Sequence, residues 1–190
     1  NEEPEMILSC QNISKSFNGE NLLSKVSFHI EDYEKVAVVG INGAGKTTLL
    51  RIIVGELAPD EGLVALSKGK TFGYLAQNQN VDSENTLYDE MQTAKAEVIA
   101  LEEKIRETEL AMKSAQGRRL EELMETYSRL THSFELAGGY AYKSEITGVL
   151  KGLGFSEDTF SKKVSTLSGG EKTRTALGKL LLLKPDLIIL

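Results

Sequence analysis

The chain has 190 residues, 41% apolar and 26% charged, with 28 acidic against 22 basic side chains and a formal net charge of −6. That balance belongs to a globular chain with material for one domain of about 100–200 residues, and it excludes disorder in bulk. It also disfavours non-specific binding to a phosphate backbone as the main activity, and no run approaches the roughly 20 apolar residues of a membrane helix.

The acidic start, Asn1-Glu2-Glu3-Pro4-Glu5, has no apolar core and is not a secretory signal; Met6 reads as a native start. Cys10, the single cysteine, has no partner for an internal disulfide and points to a reducing, cytoplasmic setting. From Met6 to about residue 81, short apolar runs alternate with turn chemistry. Met6–Cys10, Val26–Ile30, Lys35–Val39, Leu63–Leu66 and Thr71–Leu75 predict strands, separated by Asn18-Gly19, Glu31-Asp32, Pro59-Asp60-Glu61-Gly62 and Lys68-Gly69. Between them, Gly45–Val54 carries Leu49, Leu50, Ile53 and Val54 at helical spacing.

The next stretch, 82–165, changes character. From 84 to 137 there is no proline, and 12 Asp/Glu stand against 7 Lys/Arg. Apolar or small residues fall at 91, 94, 98, 101, 105 and 112, then at 120, 123, 127, 130, 134 and 137. That 3–4 spacing predicts two helices of about 25 residues folded into an antiparallel coiled-coil arm, broken at Ser114–Gly117. After Gly138-Gly139 a short helix is expected near Ser144–Leu153. In 166–190, a helix starts near Ser168 and stops before Pro185, and Leu187–Leu190 has the pattern of a buried strand. His29 and His132 fall in a strand and a helix pattern and read as structural.

Two motifs carry chemistry. Gly40-Ile41-Asn42-Gly43-Ala44-Gly45-Lys46-Thr47 matches the phosphate-binding loop G-x-x-x-x-G-K-[ST], between an apolar strand pattern and a helix pattern. Its glycines let backbone N–H groups turn onto a multiply charged phosphate, and the helix adds its positive end. Lys46 would reach the β and γ phosphates, the Thr47 hydroxyl would ligate Mg²⁺, and Thr48 is placed for the α phosphate. The second motif is Leu167-Ser168-Gly169-Gly170-Glu171, where Ser168 can cap a helix whose first N–H groups stay uncovered.

Together the motifs resemble the nucleotide-binding domain of ABC-type ATPases, in which LSGGE is the signature, and the resemblance covers nearly the whole chain. It implies an α/β fold: a P-loop NTPase cassette with an antiparallel β subdomain and a helical subdomain carrying a long α-hairpin. Residues 1–81 would be the ATP-binding core with the antiparallel β part, 82–165 the helical subdomain with its arm, and 166–190 the signature helix and the start of the Walker B strand. Gln77 sits where the family places its Q-loop glutamine, a ligand of Mg²⁺ and the attacking water. Phe17, 23 residues before Gly40, matches the aromatic that stacks on adenine. Ser168, Gly169, Gly170 and Glu171 would face the ATP held by a second cassette, head-to-tail.

The family's Mg²⁺-binding Asp, general-base Glu and switch His would follow Leu190. The expectation is an ATPase in the intact protein and little hydrolysis by these 190 residues alone. The long acidic hairpin, Gly138-Gly139-Tyr140 and the stretch Val149–Phe155 look like the first cassette of ABC-F proteins, which act on the ribosome in translation or antibiotic resistance. On that reading Lys113, Arg118 and Arg119, flanking the hairpin turn, would touch ribosomal RNA or protein. The alternative is the ATP-binding subunit of a membrane transporter, docked on separate transmembrane subunits.

Overall fold

The computed structural model describes residues 5–76 and 83–190. The chain forms two compact units, one made of residues up to 77 plus 185–190, the other of 78–184.

The first unit is built on a three-stranded antiparallel sheet, ordered β2-β1-β3, from β1 (Met6–Phe17), β2 (Glu20–Glu31) and β3 (Glu61–Leu66). β1 and β2 run on to the Asn18-Gly19 turn, well past the expected Met6–Cys10 and Val26–Ile30. Those added halves are polar, and the ladder there slips register at several points between Cys10 and Ser16. The alternation that identifies a strand is therefore scrambled in the sequence. Helix α1 (Lys46–Ile53) packs Leu49, Ile52 and Ile53 against Leu8, Cys10, Ile13 and Leu23 of the sheet. A parallel pair, β4 (Phe72–Tyr74) and β5 (Leu187–Ile189), adds Ile189 to the same core.

One expectation is corrected. Residues 35–39 belong to no β-ladder, and Val36, Val38 and Val39 are exposed. Val36, Ala37 and Val38 line one wall of a groove of about 500 Å³ whose other wall is Leu187–Leu190. The segment lines that groove together with β5 and forms no ladder with it, despite its apolar composition.

The second unit is helical: α2 (Leu87–Gln92), α3 (Ala96–Met112), α4 (Arg118–Leu136), α5 (Tyr142–Gly152) and α6 (Gly169–Leu183). Thr86 caps α2 by accepting from Asp89 N–H at 3.1 Å. The arm is α3 and α4, of 17 and 19 residues rather than about 25, turning through Lys113–Gly117. Met91, Val98, Leu123 and Phe134 of the expected seam are buried, whereas Ala137 is exposed. The seam also takes Thr108, which polarity alone would set outside it. Its hydroxyl donates to the Lys104 carbonyl at 2.7 Å, which leaves the methyl group free to pack.

At its base the unit closes around Leu87, Met91, Ile146, Leu150 and Val164. Helix α6 comes so near Met91 that a Cβ at Gly178 would sit 2.6 Å from its Cε. Beside that contact Lys179 donates to the buried Glu90 carboxylate, which also accepts from Asn85 Nδ2 at 3.0 Å. Hydrogen bonds from Lys179, Asn85 and Ser83 outweigh the desolvation of Glu90 and hold its carboxyl below the usual range.

Two outcomes check this packing. Gly62 has φ +87, and a Cβ there would lie 2.3 Å from the Gln11 carbonyl oxygen; Gly62→Ala is expected to cost about 3 kcal/mol in denaturant-unfolding experiments. Burial pushes the Cys10 thiol up to about 11. At pH 8 the thiol should therefore resist a disulfide reagent until denaturant is added, and fast labelling of the native chain would contradict the packing of β1.

Candidate functional site

The loop 40–45 leads straight into α1 and is open to solvent. Gly43 and Gly45 have φ +83 and +88. Gly45 is the left-handed residue immediately before α1, and a Cβ there would come within 3.0 Å of Leu23 Cδ2 and 3.1 Å of Leu22 Cγ. Only glycine suits that position on both counts. The result is a helix start whose first N–H groups have no side-chain cap, which is the arrangement that receives an anion.

Lys46 has folded onto the loop itself. Its Nζ donates to the Gly40 carbonyl at 2.7 Å and the Ile41 carbonyl at 2.8 Å. The ammonium therefore lies over the loop, held by neutral acceptors that a phosphate oxygen would outcompete. Thr47 and Lys46 line the upper end of the groove beside β5. Gly40, Ile41, Asn42, Gly43, Ala44 and Thr47 are all exposed, and Thr48 is half-buried. Among the described residues no group of three His, Cys, Asp or Glu could hold a metal ion.

Phe17 is the last residue of β1 and is 47% exposed. Gln77, the expected Q-loop glutamine, lies outside the described residues.

The second motif forms in the helical unit as a complete capping box. Ser168 Oγ accepts from Glu171 N–H at 3.4 Å, and Glu171 Oε2 accepts from Ser168 N–H at 2.8 Å and Ser168 Oγ at 2.6 Å. Those bonds from Ser168 hold the Glu171 carboxyl below the usual range. Gly169 and Gly170 have open space where a Cβ would be. The motif thus divides its work: Glu171 secures the helix start, and the two glycines leave its backbone approachable.

Asp186, the residue before β5, is a polar contact that the sequence did not single out. Its carboxylate accepts from Thr71 N–H at 2.7 Å and Thr71 Oγ1 at 2.9 Å, which holds it below the usual range. A short polar residue directly before an apolar run was the available signal.

Comparison with known proteins decides the family. The model described as "ABC transporter" matches residues 23–190. The chain belongs to the ABC transporter family of ATP-binding domains. It is 36% identical over 188 residues to the tylosin resistance ATP-binding protein TlrC of Streptomyces fradiae, covering 98% of this chain and 34% of that protein. It is 34% identical over 187 residues to ABC transporter F family member 5 of Arabidopsis thaliana, covering 95% of this chain and 26% of that one. A solved "ATP binding subunit of ABC transporter" superimposes with a TM-score of 0.64 at 21% identity, over 96% of this chain and 64% of that one. That likeness shows the cassette fold. The chain spans about a third of the length of the curated relatives it matches.

The capping box gives a pH-dependent prediction. Ser168→Ala should cost about 1 kcal/mol of stability near neutral pH. Because the folded-state pKa of Glu171 is lowered, its contribution is present above the ordinary glutamate range and is lost as pH falls through the depressed value. The gap between wild type and variant should therefore shrink in acid, as read from denaturant midpoints at pH 7 and pH 3.5.

Proposed function

We propose that the chain binds Mg²⁺-ATP. Gly40–Thr48 cradles the phosphates, Lys46 neutralises their charge, and Thr47 and Gln77 serve the metal. Phe17 stacks on the adenine. The observation that carries this reading is the uncapped start of α1, with the Lys46 ammonium resting on the loop's own carbonyls. An incoming triphosphate would exchange two neutral acceptors for anionic oxygens without moving the backbone.

Ser168, Gly169 and Gly170, steadied by Glu171, contact the nucleotide held by a second cassette of the same full-length protein. Closure of the two cassettes around ATP is the mechanical output, and hydrolysis in that assembled pair resets it. The output is spent on the ribosome, in the cytoplasm, as a translation or resistance factor of the ABC-F kind. The α3–α4 arm and the likeness to an F family member and to a tylosin resistance protein support this. No described helix is long and apolar enough to cross a membrane.

At the arm tip Arg118 and Arg119 pair with Glu122 at 3.3 and 3.6 Å. Exposed pairs of this kind are worth about 0–1 kcal/mol, so Lys113, Arg118 and Arg119 remain able to turn to ribosomal phosphates.

Calorimetric titration with Mg²⁺-ATP should show Lys46→Ala weakening binding by about 10- to 100-fold, the loss of a charge-assisted phosphate contact. Co-sedimentation with ribosomes should depend on ATP and fall when Lys113, Arg118 and Arg119 are all changed to Glu. Recovery with membranes instead would favour the transporter-subunit alternative.

A further inference from the structure

Phe17 stands on a support that nucleotide binding alone does not explain. The ladder slips register between Lys15 and Ser16, and the irregularity leaves the Lys15 side chain beside the Phe17 ring. Its Nζ lies over the ring, 5.7 Å from the centroid. The Lys15 side chain is only 14% exposed, whereas the ring is 47% exposed. Lys15 is aimed by Asp60, 45 residues on, whose Oδ1 accepts from its Nζ at 2.7 Å. Asp60 Oδ2 accepts from Ser16 N–H at 2.7 Å, and Asp60 N–H donates to the Ser14 carbonyl at 2.9 Å. One residue before β3 thus grips three consecutive residues of β1, directly before the ring. Across the turn, Ser16 Oγ donates to Asn21 Oδ1 at 2.7 Å.

We propose that Asp60 and Lys15 are positioning residues for base recognition: they fix the Phe17 ring with one face against the Lys15 ammonium and the other free to stack on a purine. The inference rests on the assignment of Phe17 to the adenine. A phenyl ring at a strand end next to a tight turn would otherwise sample several rotamers, and a stack formed on it would have to freeze them out. Holding the ring beforehand removes that cost. A cation on one face also draws π density toward itself, which leaves the opposite face better matched to an electron-rich purine. Among the described residues, the hydrogen bonds of Asp60 run to Ser14, Lys15 and Ser16 and not to residues 40–47, so the pair is expected to act on the base rather than on the triphosphate.

The test compares affinities of the whole chain for Mg²⁺-ATP and for Mg²⁺-tripolyphosphate, which has the charge and no base. Phe17→Ala should lower the ATP-over-tripolyphosphate preference by about 5- to 100-fold, the range of a base–aromatic stack. Lys15→Met and Asp60→Asn should each lower it by about three- to fivefold, with tripolyphosphate affinity unchanged. Lys15→Arg should restore it, because a guanidinium both stacks and pairs. A preference lost in Phe17→Ala but kept in Lys15→Met and Asp60→Asn would overturn the positioning role and leave the assignment of Phe17 standing. Equal loss of both ligands in those variants would assign the pair to folding and overturn it as well. An unchanged preference in Phe17→Ala would overturn the assignment of the ring itself, and the positioning role with it.

Discussion

Thr71 and Asp186 are 115 residues apart, and three hydrogen bonds join them. The Asp186 carboxylate takes the N–H and the hydroxyl of Thr71, and the Asp186 N–H returns a bond to that hydroxyl at 3.3 Å. Parallel strands cannot be joined by a tight turn, so their register has to be set by something other than chain connectivity. Here the exchange sets it one residue before β4 and β5 begin, with Phe72 opposite Leu187 and Tyr74 opposite Ile189. Ile189 then enters the core against which Leu49, Ile52 and Ile53 pack. The clamp thus brings Ile189 into the core on which α1 sits, although it touches neither Gly45 nor Lys46.

The phosphate-binding loop combines a rigid underside with an open top. Below it, Leu22 and Leu23 crowd Gly45, and its φ of +88 further disfavours a side chain there. Above it the backbone is exposed, and the ammonium of Lys46 rests on its Gly40 and Ile41 carbonyls. A binding loop fixed from beneath keeps its N–H groups aligned without spending ligand energy on ordering them. The motif at 167–171 is made rigid by a different route. There the rigidity comes from the reciprocal bonds of Ser168 and Glu171, while Gly169 and Gly170 remain bare.

The sequence disclosed those features whose determinants are local. The phosphate-binding loop, the cap at Ser168, the stop before Pro185 and the break at Ser114–Gly117 each depend on residues within a few positions of one another. Features governed by distant partners were hidden. Residues 35–39 are apolar enough for a strand but lie across a groove from β5. The polar halves of β1 and β2 are strands because they pair, despite register slips that erase their alternation. Thr108 looks like a surface residue until its hydroxyl is satisfied within the helix. Asp60 and Asp186 look like turn and linker carboxylates, and each acts on a residue at least 44 positions away.

The clamp at Thr71 has a further consequence for how the molecule can vary. Leu75 N–H donates to the Ile189 carbonyl at 2.9 Å, so the chain leaves the first unit and re-enters it at adjacent points of one small sheet. In sequence the helical unit is an insertion between β4 and β5, which pair with each other. Added length in such a segment changes its closure entropy only logarithmically and leaves the fastening points where they were. An arm of three turns or of six would make the same demand on the sheet. Its reach can drift across descendants of this gene while the phosphate-binding chemistry stays under separate selection.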